Sequence, residues 1–464
     1  MLAGRMARAL GVAITGAMLP LWGALAAPFS AGEAAKVDSI VARALRTSGV
    51  PSASIAVVRD GEIAFVKAYG AQSPALPVAS TAARYPIASI SKQFTAAAVL
   101  LLAGEGRLSL DDHVDQYVPG VTGGDRITIR QLLSHTAGIR DYWPQDYSFA
   151  AMAKPVTPRG IVDRWATAPL DFAPGTQWQY SNTGYVIAGM IVEKVAGEPL
   201  MTFLGKRIFA PLHMGAVDAD LSLGKGDPLP TMRYALGPVR PATPAAPGWL
   251  FAAGQLAMTP ADLARWDIAR IDRTLLSRAS WEAQETPVKL ADGSSANYGL
   301  GVAVGKARGH VLISHGGEAV GFLSENRVYP ADRDAVIVFV NADFGSAQDE
   351  IADGIEAMLF PEADATRAAR ALYEQLRAGR LDRGRLTVNA NYYFTDQAVR
   401  DFAASLGPLG EPQGFVQRGA TRLRGGFTQQ IFELTWPNRK LRIILRAEPG
   451  ADGKVEQFTV YPVE

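Results

Sequence analysis

The sequence predicts an α/β (α+β) chain. It has an antiparallel sheet flanked by helices, a mostly helical subdomain beside it, and a small C-terminal α+β domain. Three observations predict this. Strand patterns stand at both ends of the first 360 or so residues, helical periodicity fills the middle, and a second strand-rich block follows a break near Glu362. At 464 residues, 48% hydrophobic and 20% charged, the chain is long enough for roughly two or three domains and can bury a core.

The N-terminus reads as an export signal. Arg5 and Arg8 form a basic start, residues 9–25 are uncharged, and Ala24-Leu25-Ala26 offers a small-x-small cleavage site after Ala26. Gly11, Gly16, Pro20 and Gly23 interrupt the apolar stretch, which argues against an uncleaved span. The expectation is export to the periplasm, with residues 1–26 removed and no stable membrane span after cleavage. Removing two positive charges from a formal charge of +1 leaves −1.

Residues 54–69 carry two β-rich runs joined by Asp60-Gly61, a hairpin pattern. Residues 89–105, dense in Ala and Leu and stopped near Gly104 and Gly106, predict a helix. Residues 111–270 show helical periodicity broken by loops, and the Pro-, Ala- and Gly-rich residues 237–248 predict a long surface loop. Strand patterns return at residues 298–304, 310–314, 321–329 and 335–341. The last is continuously apolar, as a central strand covered on both faces would be. A helix over residues 346–359 ends before Pro361. One antiparallel sheet built from both ends of this region, covered by helices, accounts for the pattern. Residues 362–364 read as a boundary, giving domains at 27–362 and 363–464. In the second, a helix at 367–379 and segments at 392–394 and 399–406 precede strands at 427–435, 440–446 and 455–461, with a turn at Asp452-Gly453.

Composition narrows the chemistry. Lys and Arg total 46 and Asp and Glu 45, so there is no electrostatic footprint for nucleic acid. Cysteine is absent, which excludes thiol catalysis, Cys-ligated zinc, iron–sulfur clusters and disulfides. The five histidines, His113, His135, His213, His310 and His315, include no HExxH-type pair. A nucleophile must then be Ser, Thr, Lys or a carboxylate.

Ser89-Ile90-Ser91-Lys92 is an S-x-x-K at the start of a strong helix. Positions i and i+3 share a face, so Lys92 can approach Ser89. The helix N-terminus favours a developing oxyanion there, and a desolvated lysine can take the serine proton. A plain N-cap is the structural alternative for Ser89. A second S-x-x-K, Ser222 to Lys225, runs into Gly226, Asp227 and Pro228 and has no helix to hold its spacing. Tyr180-Ser181-Asn182 is the only Y-x-N. A tyrosine beside a lysine can act as a phenolate base or relay a proton while neutral, and Asn182 offers a donor and an acceptor. His315-Gly316-Gly317 ends a strand, where two glycines let a ligand approach the backbone. His213-Met214-Gly215 lies in a turn and reads as structural. No G-x-S-x-G elbow is present, so His135 beside Ser134 reads as a buried, hydrogen-bonded histidine. Trp249 and Phe251 fit an acyl pocket or the core equally well.

In this order and context, S-x-x-K, Y-x-N and H-x-G resemble the serine β-lactamase and penicillin-binding-protein superfamily. The closest likeness is to its class C-like branch of D-peptidases, esterases and β-lactamase-like hydrolases. The resemblance spans residues 37–360 and includes the Leu132-Leu133-Ser134-His135-Thr136-Ala137-Gly138 segment, Tyr298-Gly299-Leu300-Gly301 and residues 254–266. It implies that Ser89 is acylated, that Lys92 activates it, and that Tyr180 is the general base. It also implies that Asn182 positions substrate and that His315, Gly316 and Gly317 line the opposite wall, with His315 bonded to the Tyr180 side or to substrate. The backbone N–H groups of Ser89 and Glu318 would form the oxyanion hole. The resemblance implies neither metal nor organic cofactor. Lys-Thr-Gly is usual at the third motif of β-lactam-hydrolysing members; here the neutral-capable His315 and the bare Gly316 favour an ester, an amide or an N-terminal D-residue peptide over a β-lactam. The implied partner is thus a small ester or amide/peptide substrate. Two alternatives stay open, a non-catalytic ligand-binding or sensing module on the same fold and an acyltransferase using the same acyl-enzyme. The sequence does not specify an oligomeric state.

Overall fold

The computed structural model describes residues 28–76, 78–145, 147–361, 364–419, 421–450 and 453–463. The expected signal segment, the break at 362–363 and the turn residue Asp452 lie outside them. The chain divides into two compact units at Ile355/Glu356.

The first unit opens with helix α1 (Ala31–Ser48), whose Ser30 and Glu33 form a reciprocal capping box. Strands β1 (Ser52–Arg59) and β2 (Glu62–Gly70) form the expected hairpin. Its turn places Asp60 at φ 53° and Gly61 at φ 82°, the positive pair that a tight twisted hairpin demands. After the helices α2 (Lys92–Gly104), α3 (Asn182–Ala196) and α4 (Pro260–Ile271) come strands β3 (Ala303–Ala307), β4 (His310–Ala319), β5 (Phe322–Tyr329) and β6 (Asp334–Val340), then helix α5 (Ala347–Leu359). The six strands form one sheet in the order β2-β1-β6-β5-β4-β3, with every pairing antiparallel. Both ends of the region therefore build it. Every residue of β6 is buried, as its unbroken apolar run predicts.

Two strand boundaries differ from expectation. Residues 298–302 are not strand; Tyr298 makes only an isolated bridge to Ala303. Gly301 sits at φ 80°, and a Cβ there would lie 2.8 Å from the Lys92 carbonyl, so this segment is a close-packed turn against the start of α2. In contrast, β4 runs past Ser314 to Ala319 and carries His315-Gly316-Gly317 within it. Strand β3 pairs with β4 only as far as Ser314. From His315 to Ala319, β4 is consequently the edge of the sheet, and this edge faces the site. The expected loop at residues 237–248 holds one short strand, Arg240–Pro241, paired with Thr231–Met232.

A polar network ties sheet to helices. Gln93 on α2 donates from Nε2 to Asn326 Oδ1 on β5 at 2.9 Å, and its Oε1 accepts from Trp266 Nε1 at 3.0 Å and from Arg270 at 2.9 Å, both on α4. Asn326 in turn donates to Asp267 at 2.7 Å.

The second unit contains helices α6 (Asp364–Arg377) and α7 (Asp396–Leu406) and a five-stranded antiparallel sheet. Its strands are Gly414–Gln417, Arg422–Arg424, Phe427–Trp436, Arg439–Ala447 and Val455–Val463. Tyr373, Phe394, Phe432, Leu434 and Ile443 form its core. Among the described residues, no helix is long and apolar enough to cross a membrane.

Candidate active site

Ser89 lies on a 3₁₀ turn, Ala88–Ser91, that runs directly into α2. The sequence predicts one helix from residue 89, whereas the α-helical part starts at Lys92. The N-cap positions are Ile87 and Ser91, so Ser89 caps neither segment. Ala88 holds φ at 47°, a left-handed conformation that turns the chain sharply before the serine.

Lys92 is fully buried behind Ser89, with Nζ 3.1 Å from Ser89 Oγ. Nζ also donates to Asn182 Oδ1 at 2.8 Å and to the Ala253 carbonyl at 2.7 Å. It stands 4.8 Å from the centre of the Tyr180 ring. Burial pulls the amine down to about 7, opposed by the nearby Asp141 carboxylate. Tyr180 shares a hydrogen bond with Ser89, yet burial pushes the phenol well above its ordinary range and Asp141 adds to that rise. Ser89, Lys92, Tyr180 and Asn182 thus converge from two distant parts of the chain.

Ser181 caps α3 by accepting from the Gly184 N–H, which places Asn182 in the first turn. The buried Asp141 accepts from the Asn182 backbone N–H at 3.0 Å and from its Nδ2 at 3.2 Å. That pair of bonds fixes the carboxamide with its oxygen toward Lys92. Asp141 also accepts from the Trp143 N–H, and burial raises its carboxyl. The sequence reading did not single out Asp141; its only signal was its place three residues after Gly138.

His135 is buried, as expected, at φ 60°. Its Nδ1 accepts from the Ser181 N–H at 3.1 Å, so its proton sits on Nε2. The ring lies 4.2 Å from that of Tyr180, centre to centre. Desolvation, with Lys92 and His315 adding, holds it well below the usual histidine range. His315 is also buried and lowered, to about 4, chiefly by desolvation. Its Nδ1 donates to the Gly316 carbonyl at 2.6 Å, so Nε2 accepts from the Tyr298 hydroxyl at 2.8 Å. Both ring nitrogens are occupied: where a bond to the Tyr180 side or to substrate was expected, Tyr298 holds Nε2. Gly317 has no room for a side chain, since a Cβ there would lie 2.2 Å from the Ile87 carbonyl.

One cleft of ≈ 650 Å³ is lined by Ser89, Tyr180, Asn182, His315, Gly316, Gly317 and Glu318, together with Asp141 and Trp143. Trp249 and Phe251 are not among its lining residues. Trp249 packs instead into a buried aromatic cluster with Tyr142, Phe149 and Trp165, and Leu250 and Ala253 face the cleft. Ser222 ends a short helix, with Leu223 extended after it, so its lysine is not held on a helical face.

A family model described as Beta-lactamase matches residues 37–357. The D-aminopeptidase of Brucella ovis is 31% identical over 336 residues, covering 68% of this chain and 61% of that protein. The chain therefore spans less than two thirds of this relative's length. Among solved structures, a D-stereospecific amidohydrolase from Streptomyces sp. is 29% identical with a TM-score of 0.61, covering 71% of this chain and 99% of that one. A penicillin-binding protein homologue from Pyrococcus abyssi, at 21% identity and TM-score 0.61, shares the fold over 92% of this chain and 99% of its own.

Proposed function

The chain belongs to the beta-lactamase family of serine hydrolases, and from that premise we propose that it is exported and cleaves a D-aminoacyl amide, short peptide or related ester through an acyl-enzyme on Ser89. The observation that carries this reading is the set of partners around Lys92. An amine lowered to about 7 is largely neutral at slightly alkaline pH. A neutral amine has two N–H bonds and one lone pair. Asn182 Oδ1 and the Ala253 carbonyl accept both N–H bonds, which leaves the lone pair for the Ser89 hydroxyl 3.1 Å away.

In acylation the Ser89 proton passes to Lys92 as Oγ attacks the substrate carbonyl. The N–H groups of Ser89 and Glu318 receive the oxyanion. Tyr180, kept protonated by burial, acts in this scheme as a neutral relay more readily than as a phenolate base: it hands a proton to the departing amine or alkoxide and is resupplied from Lys92. In deacylation water attacks the ester, its proton returns by the same route, and Ser89 regains its hydrogen. The names of the D-aminopeptidase and amidohydrolase relatives support a D-aminoacyl substrate. So does a third motif with a neutral histidine and no hydroxyl. The leader-like residues 1–26 support export.

A fluorophosphonate should label Ser89, read by peptide mass, and Ser89→Ala should remain folded while losing turnover of p-nitrophenyl acetate and D-alanine p-nitroanilide. Labelling at Ser134 or Ser222 would overturn the assignment.

A further inference from the structure

We propose that Glu325 makes the Gly316 end of the cleft reject a substrate carboxylate and accept amide N–H or ammonium donors. This refines the acyl-enzyme reading and rests on it. Strand register sets Glu325 of β5 directly opposite Gly316 of β4, so both address the same face of the sheet. Gly316 presents no side chain. An atom at its Cβ position would lie 3.3 Å from Glu325 Oε2. A carboxylate oxygen therefore stands over the bare glycine, on the cleft wall that both residues line.

One guanidinium is shared among three carboxylates here. Arg327 holds the other Glu325 oxygen at 2.9 Å, but it also pairs with Asp353 at 2.6 Å and is not among the lining residues. Asp343 and Asp349 also line the cleft, with Asp349 3.8 Å from Arg327, and among the described residues the lining includes no Lys or Arg. Gln348, also a lining residue, is about nine-tenths buried. Its Nε2 donates to Asp349 at 3.2 Å, and its Oε1 has no hydrogen-bond partner among the described residues. An incoming carboxylate would meet the carboxylates of Glu325, Asp343 and Asp349 in the same cleft, while a donor would be matched.

The test compares D-alanyl-D-alaninamide with D-alanyl-D-alanine, a pair in which a neutral terminal carboxamide with two N–H donors replaces a charged, acceptor-only carboxylate. Burial raises the Glu325 carboxyl while Arg327 lowers it, so the assay is run at slightly alkaline pH, which favours its ionised form. The wild type should favour the amide by about tenfold or more in kcat/KM, and Glu325→Gln should narrow that ratio by about tenfold. Asp349→Asn, at a more exposed position, should narrow it by a smaller factor and decides the matter if the first variant does not fold. A wild-type ratio near one, or a ratio unmoved in the folded variants, overturns the proposal. Fluorophosphonate labelling of Ser89 and ester turnover separate the two failures: if they succeed while the ratio is one, only the charge filter falls; if they fail, the acyl-enzyme reading falls.

Discussion

Lys92 has no exposed surface, yet the pH dependence should turn on it. Asp141, Tyr180, Tyr185, His135 and His315 are the titratable groups that surround it. Its amine is lowered to about 7, so kcat/KM should fall as pH drops through that value and Lys92 gains a proton. Asp141 favours the ammonium form. Asp141→Asn should therefore move the acid limb to lower pH, by about half a unit to one unit, and lower kcat as Asn182 loses its anchor. An acid limb that stays in place or moves up would contradict this, as read from a pH–rate profile. Lys92→Ala and Tyr180→Phe should each lower kcat by about 10³-fold with a smaller change in KM, measured by steady-state kinetics. Ser89, Lys92, Tyr180 and Asn182 were legible because each sits in a short motif with its own spacing. Asp141 was not: its value lies in bonds to Asn182, 41 positions along the chain, and no local pattern announces such a pairing.

At the scale of elements, β4 does the positioning. Its sixth to eighth residues bring the third motif alongside the 3₁₀ turn that carries Ser89, and Gly317 permits the contact. Gly317→Ala would force a methyl against the Ile87 carbonyl and Ser324 Oγ, each 2.2 Å away. We expect a loss of about 10²-fold or more in kcat/KM, with the acylation rate by stopped flow falling in parallel. The Gln93 network makes a separate demand. Gln93→Ala leaves Asn326, Trp266 and Arg270 short of a partner in the interior and should cost about 3 kcal/mol of stability, measured by urea unfolding. The sequence placed the hairpin, the central strand and the helices well because their periodicities are unambiguous. It ended β4 early because the two glycines look like a terminator, and it began β3 early because Tyr298 and Leu300 look like strand residues. Pairing across the sheet and packing against Lys92, both non-local, decide those ends.

For the whole molecule, every residue lining the cleft falls between Ser89 and Asp349, within the first compact unit. A chain ending at Pro361, which keeps α5 entire, should be labelled at Ser89 by a fluorophosphonate at a rate within about threefold of the full chain, an expectation in line with domains that carry their own cores. Failure to label despite a native circular dichroism spectrum would assign the second unit a part in catalysis. The antiparallel sheet built from both ends of the first unit was legible from the order of strand and helix patterns alone. The second unit's fold type was legible too, but its sequence offers no comparable cluster of reactive side chains, and its aromatic residues chiefly fill its own core.

The uncovered stretch of β4 from His315 to Ala319 has a cost as well as a use. A bare strand border is a template on which any extended polypeptide can align, including another copy of this protein or a nascent chain. Because His315 to Ala319 all line the cleft, such pairing is confined to chains that can enter it.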